Sequence, residues 1–353
     1  MRISLQRVGE SMSDITYQWR LEQLKHIKKN DLKVFSIFSC GGGSSMGYKL
    51  AGYDVVGNCE IDPQMMKLYK ANINPMYPYN MDVRQFKKAE KYPEELMNLD
   101  ILDGSPPCSV FSTSGDREGA WGKEKVFREG QAEQMLDDLF FEYLDVVDRL
   151  KPKVFVAENV TGIIKGSAKG FVKMIYEHAT RIGYDVQLFK LNSATMGVPQ
   201  RRERVFFIGR RKDLNLPKVQ LAFDQKPILY KDFKSGKGLK LSESSVTYRR
   251  WIKRQSKDKN IGDITKRTEG KDSNYNSALL HDNDVPPTIA SNSVFIRFNE
   301  PYQVSDRDII HMQSFPQDYD FMNASVKYVC GMSVPPLMMK GIAEQIAKQM
   351  FKK

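Results

Sequence analysis

Cysteine is scarce, and the few present stand apart. Cys40, Cys59, Cys108 and Cys330 form no CxxC pair, and the four histidines form no HxxxH pattern. These spacings argue against a metal site such as zinc and against a disulfide framework. They fit a reducing cytoplasm. No apolar run approaches the roughly 18 residues of a membrane span, so no membrane partner is expected. The opening segment "MRISLQRVGESMSDITYQWRLEQLKHIKK" has no apolar h-region, which argues against a secretory signal. Residues 1–30 read as a polar extension running into a short helix. Met12 is a second candidate start, so this extension is expected to matter little.

What is present is ordinary in amount and uneven in place. The 353 residues suffice for one large domain and a smaller one. Net charge is +11, and residues 211–273 hold 17 Lys/Arg against 8 Asp/Glu. A focused excess of that kind favours a nucleic-acid surface over a diffuse solvated one.

Periodicity predicts strands over 34–38 and 53–60, at "LDILDG", and over 151–160, 184–192 and 204–211. Helices are predicted after the first two strands and over 128–150 and 171–183. This alternation indicates a doubly wound α/β sheet. The last stretch, "SVPPLMMKGIAEQIAKQMFKK", reads as a Pro-started amphipathic helix with Ile342, Ile346 and Met350 on one face.

"FSIFSCGGGSSMG" follows the first strand. Gly41, Gly42 and Gly43 let the backbone approach a ligand, while Met46 breaks the GxGxxG fingerprint. Glu60 ends the second strand about 20 residues on, where an acid takes ribose hydroxyls. A nucleoside without a pyrophosphate, such as S-adenosylmethionine, suits that combination. Asp82 ends the next strand and is a candidate for an adenine amine or a plain helix cap. In "DGSPPCSVFSTSG", Pro106 and Pro107 fix the backbone before Cys108. A lone cysteine is most often structural. Glu158 at the end of "VFVAE", and Arg202 and Arg204 in "QRRERVFFIG", are expected at the same sheet edge. A thiol, a carboxylate and arginines near a cofactor suit nucleophilic catalysis on a polarised ring.

These blocks together resemble the DNA (cytosine-5) methyltransferase family. So do "VSDRDIIHMQSFPQDY" and "GMSVPPLMMKGIA", and the likeness covers roughly residues 33–353. The resemblance implies a Rossmann-like S-adenosylmethionine-dependent domain, built from 31–211 and 326–353, and a target-recognition domain over 212–325. It implies methyl transfer to carbon 5 of a flipped-out cytosine in a specific duplex DNA sequence, with S-adenosylhomocysteine as product. Cys108 would attack carbon 6, Glu158 would hold the ring edge, and Arg204 would hold the base carbonyl with Arg202 assisting. Asn159 would fix the Glu158 and Pro-Cys loops. Phe38, Gly42, Gly43, Glu60, Ile61, Asp82, Pro106, Ser333 and Val334 would form the cofactor pocket. Ser109 and Arg117 would lie near DNA, and Arg249, Arg250, Lys253 and Arg254 would touch phosphate. Arg307 would brace the small domain. A monomer on double-stranded DNA is implied, in a bacterial cytoplasm or in the host's if phage-encoded.

Three positions depart from the family pattern. Cys40 replaces a loop glycine and is expected to keep an ordinary backbone angle. Met332 replaces an asparagine near the methionine end of the cofactor. Asp308 replaces a glutamate. A tRNA cytosine-5 methyltransferase of the same fold and a catalytically weak DNA-binding relic are the alternatives.

Overall fold

The computed structural model describes residues 15–107, 138–272 and 277–353. Among them, β1 (Lys33–Ile37), β2 (Asp54–Cys59), β3 (Tyr77–Tyr79), β4 (Ile101–Gly104), β5 (Val154–Val160), β6 (Tyr184–Asn192) and β7 (Glu203–Arg211) form one sheet. Its order is β3-β2-β1-β4-β5-β7-β6. Neighbours from β3 to β5 pair in parallel, and β7 runs antiparallel to both β5 and β6. The predicted doubly wound α/β class is what the chain adopts.

Alternation along the strands explains the layering. Val34, Val154, Val156, Phe206 and Ile208 face one core cluster, while Phe35, Phe155, Ala157, Val205 and Phe207 face the other. Both faces are covered, as a largely parallel sheet requires. Helices α1 (Gly43–Leu50) and α2 (Pro63–Ile73) pack on the first face, and the short α3 (Val83–Phe86) and α4 (Glu94–Met97) on the second. The second face also carries α5 (Leu139–Leu150) and α6 (Lys169–Arg181). The helix predicted from residue 128 is described only from Leu139 onward.

A second sheet, ordered β8-β11-β10-β9, is built from β8 (Lys237–Lys240), β9 (Ala278–Leu280), β10 (Phe295–Arg297) and β11 (Tyr302–Val304). The helices around it are α7 (Tyr230–Phe233), α8 (Val246–Trp251) and α9 (Ile261–Glu269). Leu241, Trp251, Ile261, Ile264, Leu279 and Ile296 make a small core of their own. Val219, Tyr230, Phe233 and Val304 instead join the large cluster under α1. The chain then returns through α10 (Asp306–Met312), α11 (Val326–Met332) and α12 (Pro336–Ile346). Ile342, Ile346 and Met350 are buried as their spacing predicts. Tyr53 Oη donates to Ala343 O at 2.9 Å, fastening α12 beside α1.

The joint between the sheets corrects one expectation. Arg307 is exposed and Asp308 is fully buried. Asp308 accepts from Tyr230 Oη at 2.9 Å, Ser235 N at 2.8 Å and Arg297 Nη2 at 3.3 Å. On a helix, successive side chains point about 100° apart, and here the acid takes the inward position.

The opening segment corrects another. Residues 1–14 lie outside the described residues, but Trp19 is 2% exposed and its Nε1 donates to Ser314 O at 2.8 Å. Leu21 N donates to Asp318 Oδ1 at 2.7 Å, and Leu21–His26 form a short 3₁₀ turn. The segment from Ile15 is thus a strap across α10 and the Phe315-Pro316 turn. Trp19→Ala is expected to cost about 3–5 kcal/mol of stability, read as a lowered urea midpoint. A loss below about 1 kcal/mol would make the strap an ornament.

Candidate active site

In an open α/β sheet, ligands bind at the carboxyl ends of strands where the strand order reverses. Here that point lies between β1 and β4. Beyond Ile37 the backbone turns sharply, with Phe38 at φ 56°, Cys40 at 47° and Gly42 at 83°. Cys40 therefore does not keep the ordinary angle expected of it. Its N–H donates to Glu60 Oε2 at 2.8 Å, and that bond holds the left-handed turn in place. The glycine at 43 has a reason the sequence did not reveal. A Cβ there would lie 2.2 Å from Val334 O, so the closing segment of the chain needs the space. Ser333 and Val334 are both buried against this loop.

The turn forms one wall of a cleft of about 820 Å³, counted with its open mouth. Phe38, Ile61, Met81, Val83 and Leu139 supply apolar surface. Glu60, Asp62 and Asp82 supply carboxylates, and among the described residues no lysine or arginine lines it. That donor set fits a nucleoside carrying positive charge and repels a pyrophosphate. Glu60 Oε1 accepts from Asp62 N at 2.9 Å, and the carboxylate, with about four acceptor sites, keeps capacity for a hydroxyl. Burial raises the Glu60 carboxyl to about 6, against the opposing pull of the Asp62 and Cys40 N–H groups. Asp82 caps α3, accepting from Arg84 N at 2.7 Å, and also lines the cleft. Met332 is 38% exposed and lines it too, as does Pro107.

Beside the cleft, β5 and β7 bring the second group of residues together. Arg204 pairs in register with Val160. It is thus a diagonal neighbour of Glu158 on the same face. Arg204 Nε meets Glu158 Oε1 at 2.9 Å, with side chains 14% and 12% exposed. Burial lowers the Arg204 pKa and the Glu158 charge opposes that. Asn159 Nδ2 donates to Pro106 O at 3.2 Å, linking the Glu158 strand to the loop that leads into Cys108.

Arg202 takes a different place from the one expected. It is 3% exposed, and its two terminal nitrogens donate to Ile289 O and Gly331 O, each at 2.9 Å. Both N–H groups face the chain's own carbonyls, so Arg202 braces the floor of the site. Gln200, the first residue of "QRRERVFFIG" and given no role on sequence grounds, completes that brace. Its Nε2 donates to Met312 O at 2.9 Å and Gln313 Oε1 at 2.7 Å, and Ile289 N donates to its Oε1 at 2.9 Å. Gln313 Nε2 reaches Ser333 O at 2.6 Å. These bonds tie together segments far apart in the chain, while Arg202 Nε stays buried without a partner among the described residues, and a glutamine in sequence carries no sign of such a role.

Three cysteines are described, and all are free thiols. Burial pushes Cys40 up to about 12, aided by the Glu60 charge, and pushes Cys59 and Cys330 upward as well. Such thiols are poor nucleophiles at neutral pH. Cys108, Ser109 and Arg117 lie outside the described residues, as does the loop over 114–130. In the basic segment, Arg250 pairs with Glu269 at 3.1 Å, and Arg254 stacks 3.6 Å over the Trp251 ring. Arg249 Nη1 donates to Ser244 O at 2.6 Å, and Lys253 is exposed. Among the described residues, no helix is long and apolar enough to cross a membrane.

Comparison with known proteins agrees with this geometry. Type II methyltransferase M.NgoPII of Neisseria gonorrhoeae is 33% identical over 207 residues, covering 58% of this chain and 56% of that protein. Type II methyltransferase M1.HphI of Haemophilus parahaemolyticus is 27% identical over 90% of this chain and 87% of its own length. The chain spans about half the length of the first relatives it matches, M.NgoPII and M.FnuDI of Fusobacterium nucleatum. Among solved structures, a Spodoptera frugiperda DNMT2 variant superposes with a TM-score of 0.62 at 16% identity, covering 90% of this chain and 99% of that one. That likeness concerns the fold. The family model for C-5 cytosine-specific DNA methylase matches residues 32–348, taking in both sheets, the acidic cleft and the Glu158–Arg204 pair, and the chain belongs to that family.

Proposed function

We propose that this protein transfers a methyl group to carbon 5 of a cytosine in duplex DNA, through a covalent bond to Cys108. The observation that carries the reading is the buried Glu158–Arg204 pair beside an acid-lined cleft, with Asn159 tied to the residues just before Cys108. Cytosine carbon 5 is a weak nucleophile. The Cys108 thiolate adds to carbon 6, and the ring electrons move toward nitrogen 3 and carbon 5. Glu158 hydrogen-bonds nitrogen 3 and the exocyclic amine, offsetting the charge that develops there. Arg204 holds the base carbonyl and fixes Glu158. S-adenosylmethionine, when bound, supplies the methyl that carbon 5 accepts, leaving S-adenosylhomocysteine. Solvent then takes the carbon 5 proton, the electron pair left behind re-forms the carbon 5–carbon 6 double bond, and Cys108 leaves as the thiolate. The target atom is inaccessible within a base stack, so the cytosine is flipped out.

Phe38 and Ile61 would flank the adenine, Asp82 would take its amine, and Glu60 would take the ribose hydroxyls. Gly42, Gly43, Ser333 and Val334 would bound the methionine end, with Pro106 at the junction with the base. Residues 212–325 would read DNA, with Arg249 and Lys253 the better placed for phosphate because both are exposed, whereas Arg250 is paired with Glu269 and Arg254 lies on Trp251. The test is incorporation of labelled methyl into unmethylated genomic duplex against tRNA. Transfer to tRNA alone would favour the RNA alternative, and transfer to neither would favour the relic.

The Glu60 assignment has a pH consequence. Ribose hydroxyls donate to the ionised carboxylate, and burial holds that carboxyl near 6. S-adenosylhomocysteine affinity is therefore expected to be flat above about pH 7 and to fall several-fold toward pH 5. Calorimetry across that range checks it. Glu60→Gln should weaken binding and remove the inflection, and an unchanged pH profile in that variant would contradict the assignment.

A further inference from the structure

The reaction needs the cofactor cleft and the nucleophile loop to be set relative to each other. One buried side chain with no assigned role joins them. Asp103 lies in β4, 1% exposed, between Ser36 of β1 and Val156 of β5. Its Oδ1 accepts from Ser44 Oγ at 3.0 Å, and its Oδ2 accepts from Ser36 Oγ at 2.7 Å. Ser44 sits in the first turn of α1, immediately after the glycine turn that walls the cleft. Two residues beyond Asp103 the chain reaches Ser105, which lines the cleft, and then Pro106, Pro107 and Cys108. The groups acting on this carboxyl are the hydroxyls of Ser36, Ser44 and Tyr48 and the charge of Glu158, and burial raises it to about 7. A buried acid held by hydroxyls alone is costly to keep, and hydrophobic residues would serve a purely structural strand better.

We propose that Asp103 is a positioning residue that couples the cofactor loop to the nucleophile loop through its bond to Ser44. The inference rests on the cofactor reading above. Asp103 touches neither cofactor nor base. It fixes the first turn of α1 to the strand that delivers Cys108, so that a filled cleft and a correctly placed loop favour one another. The Ser36 bond joins β1 to β4, which the backbone ladder already holds in register, whereas the Ser44 bond is what reaches from β4 to α1. Breaking it therefore provides the control, because it removes the same kind of bond to the same carboxyl.

The test uses the full-length chain as wild type, Ser44→Ala, Ser36→Ala, Asp103→Asn and the Ser44→Ala/Asp103→Asn double variant. Calorimetry with S-adenosylhomocysteine and methyl incorporation into unmethylated duplex are measured per folded molecule. Ser44→Ala should raise the cofactor KM and lower kcat, each by about tenfold, the value of one hydrogen bond to a buried carboxyl. Ser36→Ala should lose similar stability while keeping KM and kcat within about twofold. Ser44→Ala should have little further effect once Asp103 is asparagine, because the two act as one unit. If Ser44→Ala behaves as Ser36→Ala in both constants, the coupling is refuted while the cofactor reading stands. If the wild type binds no S-adenosylhomocysteine, the cofactor reading falls and the inference falls with it.

Discussion

Cys108→Ala is expected to lower methyl transfer by at least about a thousandfold, the scale on which removal of an attacking group is felt. The reason is electronic. Without addition at carbon 6, carbon 5 keeps its aromatic character and does not accept a methyl. No other described thiol can substitute, because burial holds Cys40, Cys59 and Cys330 protonated. Cofactor affinity should stay within about threefold, since the ribose and adenine contacts proposed above come from the segments that follow β1, β2 and β3. Labelled-methyl incorporation and calorimetry on the same preparation separate the two effects. Residual transfer above a tenth of wild type would remove Cys108 from the mechanism.

Glu158→Gln is expected to lower kcat by about 10²–10⁴, the usual contribution of a positioned acid. The amide can still accept from Arg204, but it cannot take up a proton and pass it to nitrogen 3 as a carboxylate does. It also leaves the Arg204 guanidinium beside a neutral partner at a site where both side chains are mostly buried. A stability loss of about 1–3 kcal/mol should accompany the change. Rates must therefore be compared at a temperature where both proteins are folded. A wild-type kcat in Glu158→Gln would mean that the ring is polarised by something other than this pair.

The parts of this site legible in sequence are those that follow from alternation and turn chemistry. Glu158 was readable because a buried strand running into an acid leaves few explanations, and "YDVQLFKLN" matched β6 to the residue. Glu60 and Asp82 were readable as strand-end acids lining one edge. What escaped depends on partners distant in sequence. Arg202 looked like Arg204 two residues on, yet its carbonyl partners are Ile289 and Gly331. Trp19 looked like part of a dispensable tail, and only Ser314, 295 residues away, shows otherwise. Gly43 answers to Val334, and Cys40 adopts a left-handed angle because Glu60 captures its N–H. The basic segment shows a related limit. A charge run says how many cations are present, but not that Arg250 already holds Glu269 or that Arg254 lies on Trp251.

The most direct test of the central claim is a denaturing gel of wild type and Cys108→Ala incubated with S-adenosylmethionine and mixed-sequence duplex carrying 5-fluorocytosine. Fluorine at carbon 5 cannot leave as a proton does, so the thiol cannot be expelled after methylation. A protein–DNA adduct with the wild type and none with Cys108→Ala is the predicted result. An adduct that survives in the variant, or labelled methyl entering ordinary duplex while fluorinated duplex gives no adduct, would contradict the covalent mechanism.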